Sequence, residues 1–169
     1  MNPTTHMGSP SSQMGSLSSQ MGRTSSQYEQ HLLTAALRWK GTPFREHARI
    51  CGAGVDCVQL AAALLEEAGL AAGLDFPPYA VDFGDHADSS PVLAWFKARP
   101  EWTAVPAEDI APGDVVLFRV GRVVNHVGVA LGDRRFCHCL RGHGVLISRL
   151  DDPTYARRFV IAFTPPGAD

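Results

Sequence analysis

An α+β fold is predicted for this chain by two features: helical periodicity with capping signals through the first hundred residues, and short β-rich runs after Val115. Length adds a third, since 169 residues with 45% hydrophobic content suit a single core. The expected architecture is N-terminal helices packed on a mostly antiparallel sheet of about five strands, in one domain over residues 28–165.

Ahead of that domain, residues 8–28 read as three seven-residue copies, GSPSSQM, GSLSSQM and GRTSSQY. No copy carries the apolar pair of a coiled coil, and Gly and Ser are weak helix formers, so residues 1–27 are expected to be a disordered tail. The first helix is expected from Tyr28, where Leu32, Leu33, Ala36 and Leu37 recur at helical spacing until Gly41 stops it before Thr42-Pro43. A second opens on Asp56 as N-cap, with Gln59 three residues on as a capping-box variant, and carries Leu60, Leu64, Leu65 and Ala68 to Gly69. A short third helix is expected from Pro91 to Arg99, stopped by Pro100. Strands are then expected at Val115–Val120, Asn125–Leu131, Arg135–Leu140, Val145–Arg149 and Arg158–Phe163, arranged as a meander.

The dipeptide Asp56-Cys57 puts a thiol on the first turn of a helix. Unpaired N–H groups and the helix dipole favour thiolate there, and a cationic neighbour can lower a cysteine pKa from about 8.5 to roughly 3.5–7.5. A base for it is available at His126. Alternation places His126, Gly128 and Ala130 on one face of their strand, and that nearly bare face is expected to admit the start of the Cys57 helix.

Whether His138 supports His126 depends on register. A two-residue loop at Gly132-Asp133 would pair Val127 with His138, on the wrong face, whereas a three-residue loop at Gly132–Arg134 pairs Gly128 with His138. The three-residue loop is the expectation, with the histidines as diagonal neighbours roughly 7–8 Å apart at the backbone. Cys57 is then the nucleophile, His126 the base and acid, and His138 the residue that fixes the ring tautomer.

Other classes fit less well. A net charge of -2 argues against a nucleic-acid partner, although Arg119, Arg122, Arg134, Arg135 and Arg141 make a basic stretch suited to an acidic ligand. No segment has the roughly 18 apolar residues of a membrane span, and the first thirty residues show no export signal. Cys137, Cys139 and His143, with Cys51, invite a zinc reading, but a strand C-x-C suits a tetrahedral ion poorly. Cys137 and Cys139 are read as small core side chains, His47, His86 and His143 as rim residues, and no metal or cofactor is expected.

Three segments, GTPFREHARICGAGVDCVQL at 41–60, APGDVVLFRVGRVVNHVGVALG at 111–132 and RFCHCL at 135–140, resemble the NlpC-type papain-like cell-wall peptidase family. The resemblance covers most of residues 30–163 and implies a papain-like core that hydrolyses peptidoglycan stem peptides, often at γ-D-glutamyl-diaminopimelate bonds. It matches Cys57, His126 and His138 to nucleophile, base and third residue; beside that match, Asp56 and Phe44 are expected next to the nucleophile, and Arg119, Asn125 and His143 are expected to touch substrate. PPYAVDF and GRVVNHVG look most like the branch found in bacteriophage tail tips, which implies synthesis in the cytoplasm and delivery by a particle to the cell wall, with tail-tip proteins as partners for the N-terminal repeat. The family usually has Ser-Gly after its cysteine and Tyr at the position of Phe44, whereas this chain has Val58-Gln59. Those departures motivate one alternative, a catalytically weak structural subunit; another keeps the thiol chemistry and uses it for acyl transfer or deamidation of a non-wall substrate.

Overall fold

A computed structural model describes residues 25–79 and 90–168. Residues 1–24 of the expected tail, and His86, lie outside the described residues. Helix α1 spans Ser25–Trp39, beginning three residues ahead of the expected start, and α2 spans Cys57–Ala68. Their apolar stripes meet: Leu32 and Ala36 of α1 share one buried cluster with Leu60, Ala61, Leu64 and Leu65 of α2. The Trp39 indole donates to Glu67 Oε1 at 3.0 Å, fixing the pair at its polar edge. Gly69 ends α2 in the left-handed conformation at φ 72°, a backbone state that costs glycine nothing. Helix α3 spans Pro91–Lys97, opened by Ser90, whose side chain accepts from the Leu93 amide.

The chain between α1 and α2 is tied down at both ends. Gly41 and Val145 exchange backbone bonds with this connection, through Gly41 N to Val145 O at 3.0 Å and Val145 N to Thr42 O at 2.9 Å. A two-stranded ribbon, β1 (Arg49–Ile50) and β2 (Gly54–Val55), then returns the chain to α2, and Val55 bridges Phe44. The effect is to fix Phe44 beside the start of α2.

The main sheet holds β3 (Thr103–Val105), β4 (Val115–Val120), β5 (Val123–Gly132), β6 (Arg135–Leu140), β7 (Gly144–Arg149) and β8 (Phe159–Thr164). Its order is β3-β8-β4-β5-β6-β7, antiparallel throughout. This corrects the expected count of about five strands to six. The added edge strand β3 is only three residues long and too short to show a period of its own. The meander also ends at β7: the chain passes through α4 (Pro153–Ala156) and inserts β8 between β3 and β4.

Alternation along the strands separates two cores. Val127, Val129 and Leu131 of β5 share the larger cluster with α2. The opposite face carries Ala130 with Phe118, Phe136 and Leu150, with Tyr155 of α4 packed against them. The bare face of His126 and Gly128 therefore does not receive α2, contrary to the sequence expectation. A Cβ at Gly128 would lie 2.6 Å from Phe136 Cδ2 and 3.3 Å from His138 Cβ, so the space is taken by β6 instead.

Candidate active site

Local capping fixes the thiol. Asp56 is fully buried, and its Oδ1 accepts from the Gln59 amide at 2.9 Å, the N-cap bond expected from the sequence. The reciprocal half of a capping box is not made, because the Gln59 side chain donates to the Tyr79 hydroxyl at 3.4 Å. Asp56 Oδ2 accepts twice more, from Tyr79 Oη–H and from the His47 amide, each at 2.7 Å. His47 holds φ 56°, an unfavourable backbone state for a branched ring residue that this bond helps retain. Tyr79 and His47 thus support the turn that carries the Cys57 thiol. Sequence reasoning missed Tyr79, whose only signal is a tyrosine in a proline-rich connection, 23 residues from its partner.

Register fixes the imidazoles. Gly128 pairs with His138, as required for the two rings to share a face. The route differs from the expected three-residue loop: Gly132 pairs with Arg135 around a two-residue turn, and Leu131 is bulged out between Ala130 and Gly132. Asp133 and Arg134 occupy the turn with φ 50° and 61°, the left-handed pair that a tight hairpin demands. Bulge and short turn together give the same net register as the longer loop.

The rings meet with His126 Nε2 at 2.9 Å from His138 Nδ1, their planes 72° apart. His138 is fully buried, and its Nε2 lies 2.8 Å from Ser148 Oγ on β7. With Nε2 of His126 engaged, Nδ1 is the nitrogen left to serve as base. A base at Nδ1 requires the tautomers in which His126 Nε2–H donates to His138 Nδ1 and His138 Nε2–H donates to Ser148 Oγ. Ser148 was not singled out in the sequence, where it is one serine at the end of a β run.

Cys57 and His126 line one cleft of about 240 Å3, with Phe44, Asn125, Arg141 and Arg158 on its walls. Burial pushes the Cys57 thiol up to about 12, against smaller stabilisation of its anion by backbone N–H groups, that of Val127 foremost. Burial, aided by the Arg158 cation, lowers His126 to about 4. Burial and the neighbouring His126 lower His138 to about 3. The Cys57 and His126 shifts both favour the neutral thiol and the neutral imidazole over their charged forms. Desolvation of a sulfur only 8% exposed is the largest influence on the thiol.

Of the residues expected to touch substrate, Asn125 lines this cleft and Arg119 and His143 do not. The Arg119 guanidinium donates to the Arg122 carbonyl at 3.3 Å across the β4–β5 turn. His143 sits exposed on the β6–β7 turn, its Nδ1 3.4 Å from the Arg141 carbonyl. Cys137 and Cys139 are buried on the α2 face, Cys139 Sγ donating to the Val55 carbonyl at 3.3 Å. Among the described residues no helix is long and apolar enough to cross a membrane.

The fold that carries this cleft, helices on an antiparallel sheet, is seen in solved structures. The NlpC/p60 domain of the peptidoglycan hydrolase SagA superposes with a TM-score of 0.53 at 17% identity, covering 79% of this chain and 96% of that one. An NLP/P60-family protein from Staphylococcus aureus superposes with a TM-score of 0.57 at 20% identity, over 82% of this chain and 41% of that one. At those identities the likeness is one of fold. The family model for NlpC/P60 matches residues 36–164, and the chain belongs to the NlpC/P60 family. It is also 36% identical over 56 residues to the murein DD-endopeptidase MepS/murein LD-carboxypeptidase of Escherichia coli strain K12, a match spanning 33% of this chain and 30% of that protein.

Proposed function

We propose that the chain is a cysteine peptidase that hydrolyses an amide bond in peptidoglycan stem peptides, at the γ-D-glutamyl-diaminopimelate linkage. The reading is carried by one observation: His126, held at 2.9 Å by His138, lines the same cleft as the helix-capped thiol of Cys57. Family membership and the murein endopeptidase relative support the substrate class.

Catalysis begins from the neutral pair. As sulfur attacks the carbonyl carbon, His126 Nδ1 takes the thiol proton, and the charge left on the carbonyl oxygen faces backbone N–H groups at the start of α2. Collapse breaks the carbon–nitrogen bond, and the imidazolium returns its proton to the leaving amine. Water, deprotonated by the same nitrogen, then cleaves the thioester to release the acid and restore the thiol. His138 holds the ring of His126 throughout, and Asp56 fixes the turn that carries the sulfur.

Replacing Cys57 with Ala tests the assignment. Release of fragments from purified muropeptides, followed by mass spectrometry, should vanish in the variant while its melting curve stays close to that of the parent; retained cleavage would remove Cys57 from the chemistry. The finer reading, delivery by a phage-like particle with docking through the N-terminal repeat, draws on PPYAVDF and GRVVNHVG. Deletion of residues 1–24 should then free the protein from purified particles without slowing muropeptide cleavage. The rival, a structural subunit, draws on Phe44, Val58-Gln59 and a thiol held near 12. It calls for a parent protein that cleaves no muropeptide.

A further inference from the structure

Two groups on the cleft wall have no role in the chemistry above. Asn125 Oδ1 is buried without a hydrogen-bond partner. An amide oxygen removed from water and left unpaired is unfavourable, and at a site open to peptide it marks a place where a ligand donor belongs. Arg158 lines the same cleft, and its guanidinium has no ion pair or hydrogen bond among the described residues. The other cation of the cleft, Arg141, pairs with Glu46 at 2.6 Å. No carboxylate lines the cleft among the described residues, so its walls present one uncommitted positive charge beside one uncommitted acceptor.

Their position relative to the reacting atoms follows from the proton path. His126 Nδ1 must reach the nitrogen that leaves, so the fragment supplying that nitrogen lies on the His126 side of the sulfur. Asn125 precedes His126 on β5, and the charge of Arg158 is close enough to disfavour protonation of His126. Both groups therefore belong to the amine side of the scissile bond.

We propose that Asn125 and Arg158 form the pocket for the amine-side residue of the substrate, and that this residue carries a free carboxylate, paired by Arg158, and an N–H group accepted by Asn125 Oδ1. The proposal rests on the peptidase reading and makes Arg158 a specificity-determining residue. A planar guanidinium can grip a carboxylate with two parallel bonds, whereas a carboxamide offers only one acceptor atom.

The test uses two probes: the tripeptide L-alanyl-γ-D-glutamyl-diaminopimelate, and the same peptide with its diaminopimelate carboxyls converted to carboxamides. The full chain should favour the acid by about tenfold or more in kcat/KM. Arg158→Gln should remove that preference, and Arg158→Lys should restore part of it. Equal use of both peptides by the parent, or an acid preference that survives in Arg158→Gln, overturns the pocket. Affinities of both peptides for the Cys57→Ala protein, measured by calorimetry, read the pocket without turnover. A protein that cuts neither peptide yet binds the acid more tightly through Arg158 sinks the proposed bond and supports the pocket; equal binding of the two overturns it.

Discussion

The two halves of the cleft are built from different kinds of information. On the nucleophile side, Asp56 caps an amide three residues away, and one tetrad of neighbours (Asp56, Cys57, Val58, Gln59) sets the direction of the sulfur. On the base side, His126, His138 and Ser148 come from three strands, and their meeting requires a pairing between Gly128 and His138, and another between Phe136 and Ser148. A local construction fails by losing a hydrogen bond. A construction by register fails when any strand is displaced, because the side-chain period of two leaves no intermediate arrangement.

The largest expected effect therefore falls on the base side, at a residue that does no chemistry. A methyl group at Gly128 would sit 2.6 Å from Cδ2 of Phe136, whose ring is fully buried and has nowhere to swing. Gly128→Ala should separate β5 from β6, lower kcat by about a hundredfold through misplacement of the rings, and cost about 1–3 kcal/mol of stability by overpacking. Kinetics with a muropeptide and a urea titration measure the two. Unchanged kcat in a folded variant would mean that the histidine contact does not depend on the close approach of these strands.

On the nucleophile side the expected loss is in stability more than in chemistry. Asp56→Ala removes the cap and leaves the His47 amide and the Tyr79 hydroxyl without their acceptor. The sum of a lost cap and two orphaned donors is about 3 kcal/mol. A drop in the urea midpoint, with no change in slope, is the expected result. A variant as stable as the parent would show that water replaces the carboxylate and that the turn is held by the rest of the ribbon.

How much of this was legible follows the same division. The cap, the helix it starts and the period change after Val115 are written in adjacent residues, so α2 and β4 to β7 were readable to within a residue or two. The pairing of Gly128 with His138 was also reached, but through the wrong turn: a left-handed Asp133-Arg134 pair carries no glycine to announce it, and the bulge at Leu131 has no sequence marker. What could not be read were contacts between distant segments. Tyr79 under Asp56 and Arg158 on the cleft wall lie outside the helices and strands, Ser148 behind His138 lies on β7, and the placement of all three is set by the packed domain, in which β8 joins the sheet out of sequence order. The burial of the sulfur, which pushes the thiol up, was not readable for a related reason: it is a property of the packed domain and not of the residues next to Cys57.

The smallest effect sharpens the comparison most, because it concerns a hydrogen position and not a side-chain position. With His126 Nδ1 as the base, Ser148 Oγ, 2.8 Å from His138 Nε2, must accept from it, in a one-way line that leaves His126 Nδ1 free of hydrogen. Without that acceptor, His138 gains by carrying its hydrogen on Nδ1, which reverses the line and places the hydrogen of His126 on Nδ1, the nitrogen proposed as the base. Ser148→Ala should lower kcat about tenfold, the scale of losing one hydrogen bond to a catalytic imidazole, and Ser148→Thr should restore it. The pH profile separates this from simple loosening. His126 is held down to about 4, so the base is neutral above that value and the parent's kcat/KM should keep its plateau well below the ordinary imidazole range near 6.5, falling only as pH drops toward about 4. In Ser148→Ala the plateau itself should fall across that whole range, since the reversed tautomer is neutral too and no added base corrects it. Full activity in the Ala variant would show that the orientation of His138 is set by its packing against Phe136 and Tyr155, at ring separations of 4.5 and 5.2 Å, and not by the hydroxyl.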